Sequence, residues 1–135
     1  MDQTFHLRIV TPNREVVSDE VEEAQLPGKE GYLGVLPGHA PLLSELKAGA
    51  ISYRNGREAH WLAVGGGFLE VLPDQVTVLA ETAEKAGEID LERARAAKER
   101  AEKRLKQPGP ETDVSRAMVA LERALIRMQV ALKGR

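Results

Sequence analysis

The sequence predicts a β + α fold, an N-terminal β-sandwich over residues 1–84 followed by an antiparallel two-helix hairpin over residues 88–135. Three observations carry this reading. Short runs of alternating apolar and polar residues are punctuated by turn signals about every 8–12 residues. After Asp90 the apolar spacing changes to three and four residues. Pro108-Gly109-Pro110 then divides that region in two.

Phe5, Leu7 and Ile9 alternate with His6 and Arg8 ahead of Thr11-Pro12-Asn13, which reads as a strand and a turn. Ala24 and Leu26 form a second apolar run that stops at Pro27-Gly28. Gly31-Tyr32-Leu33-Gly34 reads as a loop. Asn55-Gly56 is the clearest hairpin signal, because both central residues of a type I′ turn need positive φ, which Asn and Gly tolerate. It joins Ile51-Ser52-Tyr53 to the run Ala59–Val64. Pro73-Asp74 marks a further hairpin between Phe68–Leu72 and Gln75–Leu79.

Asp90 is placed to cap a helix whose stripe is Leu91, Ala94, Ala97 or Lys98, Ala101 and Leu105. Proline lacks the amide hydrogen and clashes with the preceding turn, so the helix ends before Pro108. Thr112 or Asp113 caps the second helix, with the stripe Val114, Ala117, Met118, Leu121, Ala124, Leu125, Met128 and Leu132. A short connection makes the two helices antiparallel neighbours. The alanines permit close approach, yet so small a hairpin buries too little to be rigid alone, and it is expected to dock on the sandwich and to undock.

The 135 residues suffice for one core or two small units, and a composition 42% hydrophobic and 30% charged is that of an ordinary globular protein. Cysteine is absent, which removes disulfides, thiolate nucleophiles and thiolate metal sites. The start Met1-Asp2-Gln3-Thr4-Phe5-His6 has neither the basic nor the apolar segment of a signal peptide, and no run reaches membrane-spanning length. Any membrane association is therefore expected to go through a partner.

Charge is divided unevenly. Residues 1–87 hold 7 Lys and Arg against 13 Asp and Glu, a net of −6, whereas residues 88–135 hold 12 against 8, a net of +4. Glu92, Glu99, Glu102 and Glu122 interrupt the basic tail, which argues against a nucleic-acid arm. Lys103 and Lys106 have Glu99 and Glu102 one helical turn away, but Arg100, Arg123 and Arg127 have no acidic residue at i±3 or i±4. Residues seven apart share a face, so Arg93 aligns with Arg100, and Arg116 with Arg123 and its neighbour Arg127. Converging guanidiniums repel unless an anion lies between them, and a triphosphate suits several bidentate forks. The plainer reading is a set of solvated arginines.

Gly65-Gly66-Gly67 has no following helix and no Gly-Lys-Ser/Thr, so a bulge or a close backbone approach is the better reading than a phosphate loop. His6, His39 and His60 lack metal-ligand spacing, and no serine has a nucleophile-elbow context. No catalytic constellation and no metal site emerge.

The chain resembles the epsilon subunit of bacterial rotary ATP synthases, called delta in mitochondria. The marks are the run Gly34–Leu42, then Gly66-Gly67-Phe68-Leu69-Glu70-Val71, then Val76-Thr77-Val78-Leu79-Ala80, with a helical hairpin after them. The resemblance implies a non-catalytic central-stalk subunit at the cytoplasmic face of the bacterial cell membrane, peripheral through the complex. Its sandwich would bind the gamma subunit and the c-ring, coupling rotation and proton transport to ATP synthesis. Ile89-Asp90-Leu91-Glu92-Arg93-Ala94 also resembles the ATP-binding motif of members whose folded hairpin holds ATP as a regulatory ligand, without any catalytic cofactor. On that likeness Glu84, Ile89, Asp90, Arg93, Ala94, Arg100, Arg123 and Arg127 are the candidate ATP contacts, with Glu84 near the adenine. Extension of the hairpin would bring Arg116, Arg123 and Arg127 against acidic catalytic alpha and beta subunits and inhibit hydrolysis. Tyr32, where many relatives have Glu, and His39 are the candidate c-ring contacts. The alternative from another class is a free cytosolic ATP-sensing module outside any rotary complex.

Overall fold

The computed structural model describes residues 3–134. Met1, Asp2 and Arg135, at the ends of the two expected segments, lie outside the described residues. Among the described residues eight strands come first: β1 (Phe5–Val10), β2 (Glu15–Val21), β3 (Glu23–Gly28), β4 (Gly31–Val35), β5 (Leu42–Asn55), β6 (Glu58–Val71), β7 (Gln75–Ala80) and β8 (Ala83–Lys85). A one-turn 3-10 helix, Ala86–Glu88, leads to α1 (Leu91–Lys106) and α2 (Val114–Lys133).

The strands follow the order β2-β1-β7-β6-β5-β3-β4, with β8 beside β6. Only β1 and β7 pair in parallel among the described residues. β5 and β6 are each 14 residues long and take part in both layers of the sandwich. Their side-chain parity shows where they cross over. In β6, Leu62 and Val64 face the core before the glycines, and Leu69 and Val71 face it after them. A straight strand cannot make that change, because its side chains alternate strictly. The corner is Gly65-Gly66-Gly67, with φ of 119° at Gly66 and 136° at Gly67. The β5–β6 register spans the glycines without a shift, Leu46 opposite Gly67 and Ala48 opposite Gly65, so close approach, and not a bulge, is what these glycines serve. One core joins the two layers, with Phe5, Leu7, Ile9, Leu26, Ile51 and Leu62 fully enclosed.

The expected hairpin at Asn55-Gly56 forms, but one residue later than the type I′ reading places it. Asn55 pairs with Glu58, Gly56 alone has positive φ at 66°, and no non-glycine residue does among those described. That is the type II′ pattern, with glycine first of two central residues. Gly31–Val35 is a paired edge strand where a loop was expected. Its partner β3 supplies the ladder, and as an edge strand it buries only Val35 fully.

Both helix starts are capped by aspartate. The Arg93 N–H donates to Asp90 Oδ1 at 3.1 Å and the Arg116 N–H to Asp113 Oδ1 at 3.0 Å. Thr112 instead serves the turn, its hydroxyl accepting from the Gly109 N–H at 2.9 Å. Ala94 and Ala101 of α1 are buried, as are Ala117 and Ala124 of α2. The expected α2 stripe is correct at those alanines and at half-buried Leu121 and Met128. It is wrong at Val114, Met118, Leu125 and Leu132, which are 46%, 59%, 45% and 58% exposed. Alanine faces let the backbones approach closely, and that geometry turns the larger flank outward. Val130 and Ala131, outside the expected stripe, are fully buried.

The hairpin sits on one outer face of the sandwich. Ala50 and Ala63 of the sheet meet Ala86, Ile89, Val130 and Ala131, with Trp61, Leu91 and Ile126 at the margin. Full burial of a side chain such as Val130 contributes about 1.5–3 kcal/mol. The Lys133 ammonium lies 5.3 Å from the centre of the Trp61 ring. This seam is separate from the sandwich core and much smaller.

Candidate functional site

The junction between sandwich and hairpin is assembled from β8, the 3-10 helix and the start of α1. Glu88 anchors it: its carboxylate accepts from Arg14 Nη2 at 2.8 and 2.9 Å and from the Lys85 N–H at 3.1 Å. Burial pushes the Glu88 carboxyl upward, but the Lys85 N–H and the Arg14 guanidinium outweigh it and hold it below its ordinary value. Ile89 is 4% exposed and fills the seam beneath α2. Asp90 begins α1, and Ala94, fully buried, lets α1 close on α2. Three members of the Ile-Asp-x-x-Arg-Ala run thus set where the first helix starts and how near it comes to the second.

Beside this junction lies a cavity of ≈ 330 Å³ between the sheet and both helices. Val64, Gly65 and Thr82 form its sheet wall, Ala97 its α1 wall, and Ala120 and Ala124 its α2 wall. Glu84, Arg123 and Arg127 also line it. Arg93 and Arg100 are exposed and stand one helical turn to either side of Ala97, so they flank the cavity on α1 without lining it. The structure thus brings Glu84, Arg123 and Arg127 together at one cavity, while Arg93 and Arg100 lie outside its lining and Arg100 borders a separate surface hollow with Lys103, Arg104 and Gln107. Arg127 donates from Nε to Glu84 Oε1 at 2.8 Å and from Nη2 to Oε2 at 3.1 Å. Among the described residues Arg93, Arg100 and Arg123 form no ion pair.

The other candidates lie elsewhere. Arg116 is exposed and shares a surface hollow with Arg104 and Glu111 near the interhelical turn. His39 is half-buried in the loop between β4 and β5, with Nδ1 2.7 Å from the Ala40 carbonyl oxygen. The Tyr32 ring is 59% exposed, while its hydroxyl accepts from the Ala50 N–H at 3.1 Å. Pro27 packs at this point against Gly49, where the β3–β5 register shifts, and the hydroxyl takes a donor the ladder leaves free. Sequence reasoning missed Thr82, Ala97 and Ala120 as cavity residues. Ala97 stood in the helix stripe without a role, and nothing local marks Thr82.

Two family models match in succession: the ATP synthase delta/epsilon chain beta-sandwich domain over residues 4–86, and the long alpha-helix domain over residues 88–131. Curated relatives agree. The ATP synthase epsilon chain of Syntrophobacter fumaroxidans is 50% identical over 133 residues, covering 98% of this chain and 99% of the relative. That of Koribacter versatilis is 58% identical over 111 residues, 82% of this chain and 78% of the relative. Among solved structures, a chain of the Euglena gracilis mitochondrial ATP synthase superposes with a TM-score of 0.83 at 23% identity, covering 98% of this chain and 83% of that one. At that identity the likeness speaks for the fold.

Proposed function

The chain belongs to the ATP synthase delta/epsilon family, and from that membership we propose that it is a non-catalytic central-stalk subunit whose hairpin binds ATP when docked and restrains hydrolysis when extended. The reading of a free-standing sensor loses its support once relatives of the rotary enzyme match the full length.

The observation that carries the nucleotide reading is the cavity lined by Glu84, Arg123 and Arg127, where Arg123 has no ion-pair partner among the described residues. Its volume, ≈ 330 Å³, lies at the small end of ligand pockets, which run from about 300 to 1,000 Å³. The mostly apolar wall suits a base, and the arginines stand where phosphates would emerge. Only the folded hairpin sets α1, which carries Arg93 and Arg100, beside Arg123 and Arg127 on α2, so a bound triphosphate would favour that state and its loss would favour extension. In the extended state Arg116, Arg123 and Arg127 would face acidic catalytic subunits. Calorimetry with ATP, ADP and GTP on the full chain tests the site. Arg123→Ala removes an unpaired cation, exposed and free of structural bonds, and is expected to weaken ATP binding about 10–100-fold, the loss of one charge-assisted contact, with an unchanged ligand-free melt. Absence of any ATP-dependent rise in melting temperature at millimolar nucleotide would reject the site.

The stalk reading has its own surface. Leu43, Phe68 and Leu79 are 75%, 61% and 56% exposed on the outer face of the other layer, away from the hairpin. Phe68 lies opposite both Glu45 and Leu79, and Leu43 opposite Glu70, so the three share that face. It is the proposed seat of gamma, while the β4–β5 loop with His39 and exposed Leu36, and the β4 residue Tyr32, are the proposed c-ring contacts. The protein reaches the membrane only through the complex on this reading, and no described helix is long and apolar enough to cross one. Phe68→Asp with Leu79→Asp is expected to weaken gamma binding about tenfold or more in a pull-down, with little change in the melt. Retained gamma binding would move the interface to another face.

A further inference from the structure

We propose that the Glu84 carboxylate is an internal stand-in for phosphate: it latches the empty hairpin to the sandwich through Arg127 and competes with an anionic ligand for that guanidinium. The second half rests on the nucleotide reading above; the first does not.

The pair is bidentate, with Nε–Oε1 at 2.8 Å and Nη2–Oε2 at 3.1 Å, the parallel fork that a guanidinium also makes with a phosphate. Its side chains are 28% and 37% exposed, so it lies in the cavity wall and not on the open surface. Glu84 belongs to β8 and Arg127 to α2. Among the described residues no other ion pair joins either helix to the sandwich. The remaining links are the small apolar seam around Val130 and the Lys133 ammonium over the Trp61 ring. One charge-assisted fork is therefore the single ion pair, among the described residues, that ties α1 or α2 to the sandwich without a ligand.

The four arginines of the site are consequently not equivalent. Arg93, Arg100 and Arg123 carry free charge, whereas Arg127 is already neutralised on the edge its phosphate would use. An anion that takes Arg127 must first break the fork and then lie beside a released carboxylate. The two roles expected from the family likeness, Glu84 near the base and Arg127 on phosphate, thus compete for one ion pair. A chain built this way docks its hairpin without nucleotide and binds polyphosphate less tightly than four arginines would allow.

The test uses the full-length chain and inorganic tripolyphosphate, which has no base to recognise. Trp61, the one tryptophan in the sequence, borders the seam under α2 and reports docking by its fluorescence. In Glu84→Gln, tripolyphosphate affinity by calorimetry is expected to rise about tenfold, and ligand-free Trp61 emission to shift red and be restored by tripolyphosphate. Arg127→Gln is expected to show the same ligand-free red shift and no gain in affinity. An unchanged spectrum in both variants overturns the latch. Tripolyphosphate binding left unchanged in Glu84→Gln while ATP binding weakens assigns Glu84 to the base and overturns the competition. If the wild type binds neither ATP nor tripolyphosphate, the nucleotide reading falls, and the fluorescence of the two variants still decides the latch: red-shifted emission supports it and an unchanged spectrum overturns it.

Discussion

A chain ending at Glu88 is expected to keep the proposed binding to gamma at full-length strength, while losing the proposed nucleotide binding and restraint on hydrolysis altogether. The sandwich core from Phe5 to Ala83 contains no residue of either helix. Removal of the hairpin therefore leaves that core closed and uncovers the seam residues Ala50, Ala63, Ala86 and the edge of Trp61, with the cavity wall of Gly65, Thr82 and Glu84. Three of these are alanines, so little apolar area is newly wetted, at about 25 cal/mol per Å². The Arg14–Glu88 pair and the bond from Lys85 to Glu88 are retained, and they pin the new C-terminus. The proposed gamma face, with Leu43, Phe68 and Leu79, belongs to the other layer and is untouched. Gel filtration of the truncated chain with gamma checks assembly, and ATPase assays of the reconstituted complex check the restraint. Loss of gamma binding would show that the helices belong to the stalk interface and not to a separable regulator.

Much of this division is legible in the residues because two backbone periods leave different marks. Phe5, Leu7 and Ile9 repeat every second residue and face one side, and Ala94 and Ala101 repeat every seventh and face one side. The caps at Asp90 and Asp113 and the break at Pro108 are local signals with local causes. The burial of α2 is harder to read. Its alanine flank and its Met-Leu flank are adjacent, hydrophobicity favours the larger residues, and only the partner's shape decides for the smaller. The long strands pose a similar problem, since a change of facing parity at the glycines belongs to the pairing of β6 with two different strands.

The wiring of the candidate site is not legible at helical spacing. A search for acidic partners at helical spacing finds none for Arg127, because its counter-ion is 43 residues earlier on a strand. For Arg100 and Arg123 the same search holds in three dimensions among the described residues, while Asp90, three residues before Arg93, accepts from the Arg93 N–H and makes no ion pair with its guanidinium. Glu84 and Arg127 were expected at one ligand, and the fold makes them each other's ligand first.

Gly67→Ala is expected to be the most damaging single-methyl change in the chain, because one atom there meets backbone on two counts. Gly67 has φ of 136°, a region that side-chain-bearing residues enter at about 1–3 kcal/mol. An added Cβ would also fall 2.0 Å from the Leu79 carbonyl oxygen and 3.0 Å from its carbon, and backbone in a paired strand cannot swing aside as a side chain can. Gly56 is the control: its φ is 66°, nothing lies within 4 Å of an added Cβ, and Gly56→Ala should cost only about 1–2 kcal/mol. Gly67→Ala should exceed about 3 kcal/mol, against a total stability of about 5–15 kcal/mol for a domain. At roughly 4 °C per kcal/mol, its melting temperature falls by about 12 °C or more. The consequence reaches function through the corner itself. Gly65 to Gly67 turn β6 so that Ala63 lies beneath the hairpin while Phe68 points out from the opposite layer. A strand straightened at this point cannot serve both faces, so gamma binding and hairpin docking should weaken together in Gly67→Ala and remain intact in Gly56→Ala. Equal melts for the two variants would show that the corner yields, and that the glycines are not what holds the layers in place.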